Sequence, residues 1–292
     1  MIYRNTDNWK SEIKKSAKLK GVDVPSMQQR FILEEFAKKI GSSPYGDRLI
    51  LKGGFIVSTL LGMDTRTTRD LDVTCRTTIY DISEMENIVK KVLKTPSDSF
   101  FEYELADIKQ AQKDDENAGF IVSINARKDN ISLNLKIDVS NNTLIYPDAI
   151  RTTLPSMFNE EDIKLLSYPL ENIIAEKYET TLDRGEFNSR MRDLYDIYFL
   201  MKDSSQLVDK NLLADTIIKV SEERGTIDNL YEFEEILEEL QNSTAFQSSF
   251  KKHGEKFGFE DITLKDVFKI FREIHDMVED KLNIVESTSI KI

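Results

Sequence analysis

Apolar residues recur along the chain with two different periods, and the change between them organises it. "MQQRFILEEFAKKI" sets Phe31, Ile32, Glu35, Phe36 and Lys39 at helical spacing, and the first forty residues read as helix. "GSSPYGD" breaks that pattern with Gly, Pro and Gly. "RLILKGG" then reads as a short apolar strand running into Gly53 and Gly54, "FIVSTLLG" as a short helix, and "DLDVTC" as a strand. In "SEMENIVKKVLK", Ser83 followed by Glu86 has the form of a capping box. The flanking Ile82 and the apolar positions Met85, Ile88, Val89, Val92 and Leu93 make one helical stripe. "GFIVSINAR" and "ISLNLKIDVS" are two strands joined by the turn-like "KDN". After "YPDAIRTTLPSMF" the period is helical to the end. Pro169 suits the first turn of a helix through "LENIIAEKYETTL", Gly185 suits its stop, and "NSRMRDLYDIYFLMK" follows as a second helix. The segments "SEERGTIDNLYEFEEILEEL" and "TLKDVFKIFREIHDMVEDKL" supply further helices. The pattern predicts an α+β chain: a strand-rich half over residues 1–155, with helices flanking a mixed sheet, and a helical half over 156–292.

Composition narrows the chemistry. Hydrophobic residues at 40% and charged residues at 32% describe a soluble globular protein. No apolar run approaches a membrane span, and "MIYRNTDNWKSEIKKSAKLK" lacks the apolar core of a secretory signal. The lone Cys75 forms no disulfide framework, so the expectation is a cytoplasmic protein with no membrane partner. With only His253 and His275 in the chain, both late, a zinc cluster, a Cys–His pair and a Ser–His–Asp triad all lose support. Carboxylates and lysines must carry any catalysis. The net charge of −12 is uneven: Arg4, Lys10, Lys14, Lys15, Lys18 and Lys20 form a local basic segment, which fits a phosphate backbone or an ordinary solvated helix.

Residues two apart on a strand share a face, so in "DLDV" Asp70 and Asp72 point together while Leu71 and Val73 face a core. Two adjacent carboxylates repel, and a hard divalent cation turns that repulsion into binding. Alone, the pair fits either a surface accident or half of a metal site. "ISLNLKIDV" adds to it. Ile131, Leu133, Leu135, Ile137 and Val139 take one face, and Ser132, Asn134, Lys136 and Asp138 the other. Were this strand beside "DLDV", three acids would converge, enough for two Mg²⁺ ions about 3.5–4 Å apart. Gly53 and Gly54, between a strand and a helix N-terminus, would let backbone N–H groups approach a phosphate.

These residues, "LKGGFIVSTLLGMDTRTTRDLDV" with the later "LKIDV", resemble the polymerase β-type nucleotidyltransferase superfamily, and within it the AbiEii-type toxins of type IV toxin–antitoxin and phage-defence systems. The likeness runs from about residue 30 to about 200. It departs from many superfamily members in its fifteen-residue spacer between Gly54 and Asp70, and in Gly54 where serine is frequent. The resemblance implies a polymerase β-like nucleotidyltransferase domain followed by a helical domain that contributes Lys and Asp motifs. It implies an NTP substrate and Mg²⁺ held by Asp70, Asp72 and Asp138. It implies triphosphate contacts from Gly53, Gly54, Arg66 and Lys177, and an RNA acceptor, the tRNA 3′ end foremost. A cognate antitoxin would counter the toxin.

In the helical half, Lys177 shares a face with Leu170, Ile173 and Ile174, which suits a snorkelling lysine as well as a triphosphate clamp. Arg190, Arg192, Asp193 and Asp196 have the spacing of a helix-surface salt-bridge ladder, though both acids border apolar positions. The family likeness shifts Lys177 and Asp193 to functional roles, with Arg190 and Asp196 as supports. Two rival functions use the same residues: a phosphotransferase acting on a protein or small molecule, and a non-catalytic NTP- or RNA-binding module. The three acids speak against the second. A glycosyltransferase using the DxD pair is weaker still, because no doubly wound pattern surrounds it.

Overall fold

The computed structural model describes residues 3–63, 66–111, 119–141 and 143–289. Asp64 and Thr65, inside the glycine-to-acid spacer, lie outside the described residues.

The chain divides into two compact units, residues 1–143 with 149–168, and residues 144–148 with 169–292. In the first unit, helices α1 (Thr6–Leu19) and α2 (Val24–Ser42) precede strand β1 (Leu49–Lys52), helix α3 (Gly54–Leu61), strand β2 (Asp70–Cys75) and helix α4 (Ile82–Leu93). Strands β3 (Glu102–Gln110), β4 (Phe120–Lys128), β5 (Ile131–Asn141), β6 (Ile150–Leu154) and β7 (Ile163–Ser167) complete it. The described strands form one mixed seven-stranded sheet in the order β3-β4-β5-β2-β1-β7-β6. The β2–β5 and β1–β7 pairs are parallel and the others antiparallel.

The site-bearing strands sit at the centre because their inner faces are apolar. Leu71 and Val73 of β2 and Leu135, Ile137 and Val139 of β5 are buried, and the intervening residues are only partly so. Helices α2 and α4 cover that inner face, with Phe36, Met85, Ile88 and Val92 closing over Val73 and Val139. Buried Arg30 of α2 pairs with Glu34 at 2.7 Å and donates to Ser58 Oγ at 2.9 Å and Thr59 Oγ1 at 2.8 Å, which ties α3 to α2. A buried guanidinium bonded at each of its three nitrogens fixes geometry more than it adds stability.

Three strands depart from the sequence expectation. β3 is an edge strand whose register shifts between Leu105 and Asp107, so its two-residue alternation is interrupted. β6 and β7 are five residues each; β6 lies in "YPDAIRTTLPSMF", to which no element was assigned, and β7 falls where helix was expected. Their pairing is non-local: β7 joins β1 through Leu51 and Ser167. The chain of the first unit therefore continues past residue 155, to Tyr168. The capping box expected at Ser83 and Glu86 is displaced by two residues. Asp81 caps α4 by accepting from Glu84 N at 2.8 Å, Glu84 Oε2 accepts from Tyr80 N at 3.2 Å, and Glu86 pairs with Lys90 on the exposed face.

In the second unit the described elements are helical: α5 (Leu170–Arg184), α6 (Met191–Asp203), α7 (Lys210–Arg224), α8 (Asp228–Tyr231), α9 (Phe233–Asn242), α10 (Thr244–Phe257) and α11 (Leu264–Ser289). Pro169 is the N-cap residue of α5, and Gly185, at φ +50°, follows its last turn. Among the described residues, no helix is long and apolar enough to cross a membrane.

Candidate functional site

Two side-chain clusters contain the residues singled out in the sequence, one in each unit. The first is built on β2 and β5. Their parallel register sets Asp72 directly beside Asp138 and Asp70 directly beside Lys136. Neighbours across a sheet share a face, so the three acids and Lys136 stand together on the polar side. The antiparallel β1 adds Lys52 opposite Asp72, and the Lys52 ammonium lies 5.4 Å from the Tyr168 ring centroid. Lys136 Nζ lies 2.8 Å from Asp138 Oδ2. Burial pushes the Asp70 carboxyl above its ordinary range, Asp138 and Asp72 add to the push, and Lys136 and Arg69 oppose it. The hydrogen bond to Asp138 and the charges of all three acids raise Lys136 above the usual lysine value.

The glycine pair forms the adjoining wall. Gly53 is held at φ +68° and ψ −141°, a conformation essentially confined to glycine. A Cβ there would lie 2.3 Å from Asp72 Oδ2. Gly54 opens α3, and its N–H donates to Asp72 Oδ2 at 3.3 Å. The helix N-terminus and the acid strand are thus already in contact. Arg66 is buried under this turn, donating to Gly54 O at 2.9 Å and to Thr67 O at 3.3 Å. A Cβ at Gly54 would come within 2.8 Å of both terminal nitrogens of that guanidinium. The structure therefore places Arg66 behind the glycine turn as a brace. It also gives a reason for glycine at position 54, where a side chain would press on Arg66.

Three carboxylates on one sheet face are the hard-oxygen donor set that Mg²⁺ takes. Among the described residues, no three His, Cys, Asp or Glu side chains already form a metal-holding group. At the acid strands, Lys136 stands among the candidate ligands. The donor chemistry fits a divalent ion, and the side-chain arrangement is the one made with Lys136 as the local cation.

The second cluster lies between α5 and α6. The Lys177 ammonium contacts Asp193 Oδ1 and lies 3.0 Å from Asp196 Oδ2. All three side chains are largely buried, that of Asp196 most of all, at 3% exposed. Asp193 occupies the first turn of α6, where the helix dipole favours a negative charge. Arg190, the N-cap residue of α6, is exposed, and its N–H donates to Asn188 Oδ1 at 2.8 Å. Arg192 carries its guanidinium over Phe257, 5.4 Å from the ring centroid. A pocket of about 660 Å³, with Tyr195, Phe250 and Phe259 among its lining residues, contains none of the sequence-predicted site residues.

Sequence reasoning assigned no role to Lys52 or Lys136. Both were in view, in "LKGG" and "LKIDV", on strand positions whose parity puts them on the acid face. Strand adjacency was what the sequence lacked.

The family model described as the nucleotidyl transferase AbiEii toxin of type IV toxin–antitoxin systems matches residues 36–273, a span that holds both clusters. No curated protein matches the chain. Two crystal structures from Helicobacter pylori resemble it. One is a provisionally named nucleotidyltransferase, 17% identical over 87% of this chain and 96% of its own, with a TM-score of 0.47. The other is JHP933, 16% identical over 90% of this chain and 97% of its own, also with a TM-score of 0.47.

Proposed function

Since the chain belongs to the AbiEii family of nucleotidyl transferase toxins of type IV toxin–antitoxin systems, we propose that it moves a nucleoside monophosphate from an NTP to an RNA acceptor, the 3′ end of tRNA. The outcome is blocked translation and growth arrest in phage defence, relieved by an antitoxin. The observation that carries this reading is the β2–β5 register, which sets Asp72 beside Asp138 with Asp70 on the same face, next to the Gly53–Gly54 turn.

In this reading an acceptor hydroxyl attacks the α-phosphorus of the NTP. The bond from that phosphorus to the bridging oxygen breaks, pyrophosphate leaves, and Asp138 takes the hydroxyl proton. Asp70, Asp72 and Asp138 would hold Mg²⁺, which would neutralise charge on the triphosphate and acidify the attacking hydroxyl. The N–H groups that open α3 meet phosphate oxygens, as helix N-termini do, and Gly53 keeps that approach clear of a Cβ. Arg66 holds the turn in shape. In the helical unit, Lys177 is the lysine that the family likeness makes functional, and Asp193 and Asp196 keep it in place. Positioning and charge stabilisation supply most of the acceleration, as in phosphoryl transfer generally.

Transfer from each of the four α-labelled NTPs to total RNA, with Mg²⁺, tests this. Label should move to RNA from one NTP with the wild type, and fall by about 10²-fold or more with Asp70→Ala. Label reaching protein from a γ-phosphate, with none reaching RNA from any α-phosphate, would replace the reading with phosphotransfer.

A further inference from the structure

The acid strands hold a positive charge of their own. Lys136 lies two residues before Asp138 on the same face of β5, beside Asp70 of β2. Its ammonium is 2.8 Å from Asp138 Oδ2, and its charge interacts with all three carboxylates. The contact is open to solvent, since the Lys136 and Asp138 side chains are 39% and 40% exposed. A half-exposed pair of this kind is held weakly and is screened by dissolved ions. The nearby cations differ in placement: Lys52 stands opposite Asp72, with its ammonium 5.4 Å from the Tyr168 ring centroid, and buried Arg66 donates to the Gly54 carbonyl. Lys136 is in contact with the acid that sits directly beside Asp72. Without compensation, three carboxylates on adjacent strand positions would repel across the β2–β5 pair.

We infer that Lys136 is a tethered cation that takes the place of a divalent ion on Asp138, and that an ion entering the Asp70–Asp72–Asp138 face must displace it. The inference rests on the proposed Mg²⁺-dependent reading and adds to it a built-in competitor. The tether offsets the repulsion among the acids when no ion is bound. It also lowers ion affinity in proportion to the fraction of molecules in which Lys136 is unseated and the acids are open to the ion. Once displaced, the ammonium stays on the acid face, where a triphosphate brought in with the ion can accept its hydrogen bonds.

Calorimetric titration of the full chain with Mn²⁺, in the absence of NTP, provides a readout independent of activity. Wild type is compared with Lys136→Met, which keeps the length and loses the charge, and with Lys136→Arg, which keeps the charge. Lys136→Met should bind Mn²⁺ about two- to sixfold more tightly than wild type, with Lys136→Arg near wild type. Binding by Lys136→Met that is equal to or weaker than wild type would overturn the tethered-cation role and leave the metal reading standing. Absence of Mn²⁺ binding by all three proteins would overturn both. Should Lys136→Met fail to fold, the wild type carries the test alone. Mg²⁺ should speed acylation of Lys136 by an amine-directed reagent, read by mass spectrometry of the peptide. A rate that Mg²⁺ leaves unchanged or lowers would overturn the inference.

Discussion

Gly53 answers to two independent constraints at one atom. Its φ of +68° and ψ of −141° lie outside the range of L side chains, and the space a Cβ would need is filled by the Asp72 carboxylate. Replacing Gly53 with alanine should therefore cost about 1–3 kcal/mol of stability, and it should push Asp72 away from the Gly54 N–H. The expected result is a lowered urea midpoint together with a loss of NMP transfer larger than the loss of fold. If transfer survived in a folded Gly53→Ala protein, the glycine turn would have no part in the chemistry. The sequence pointed to Gly53 and Gly54 as a phosphate approach. What it did not contain was the contact of the glycine turn with Asp72 and of Gly54 with Arg66, eighteen and twelve residues downstream of Gly54.

At the scale of elements, the acid face exists because β2 and β5 are parallel and in one register. A slip of one residue would turn Asp138 into the core and Ile137 or Val139 out of it. The apolar parity of β5 forbids that slip, which is why so much of the face was legible from two short segments. β3, β6 and β7 were not legible for opposite reasons. The register shift in β3 breaks its alternation, and the other two are too short to show a period. In the helical unit, α5 and α6 are joined through Lys177 between Asp193 and Asp196. Removing the ammonium with Lys177→Met takes the cation from beside two largely buried carboxylates, at an expected cost of about 3–5 kcal/mol. The acids should separate by depth. Asp196→Asn, at the more buried position, should lower the denaturation midpoint more than Asp193→Asn. The Asp193 variant should lose NMP transfer while keeping most of its stability. Urea denaturation and label transfer on the same preparations check both.

Across the whole molecule, charge and titration add a pH dependence that belongs to the second unit. Burial depresses both His253 and His275 below the usual histidine value. His275 stacks on Phe233 at 3.8 Å, and its Nδ1 lies 3.2 Å from the Tyr178 hydroxyl. A depressed histidine binds its proton more readily in the unfolded chain. Its contribution to stability is thus intact above about pH 6.5 and is lost as pH falls from there toward the folded value. Melting temperature should drop as pH falls below about 6.5, and His275→Phe should flatten part of that drop. Glu35, raised mainly by burial, acts in the opposite sense at lower pH, so the difference between wild type and variant is the quantity to read.

The sequence by itself determined the local chemistry: which strand positions face the core, where helices begin near Pro169 and end near Gly185, and that Asp70, Asp72 and Asp138 are polar-face acids. Those properties follow from residue type and period, which act over a few neighbours. Only the tertiary structure decided that β2 and β5 are adjacent, that Lys136 stands among the acids, that Arg66 lies beneath the glycine turn, and that Lys177 is held between Asp193 and Asp196. Each of those is a meeting of separate segments, twelve or more residues apart in the chain. Such meetings are set by which apolar faces bury each other, a choice that no single segment's pattern encodes.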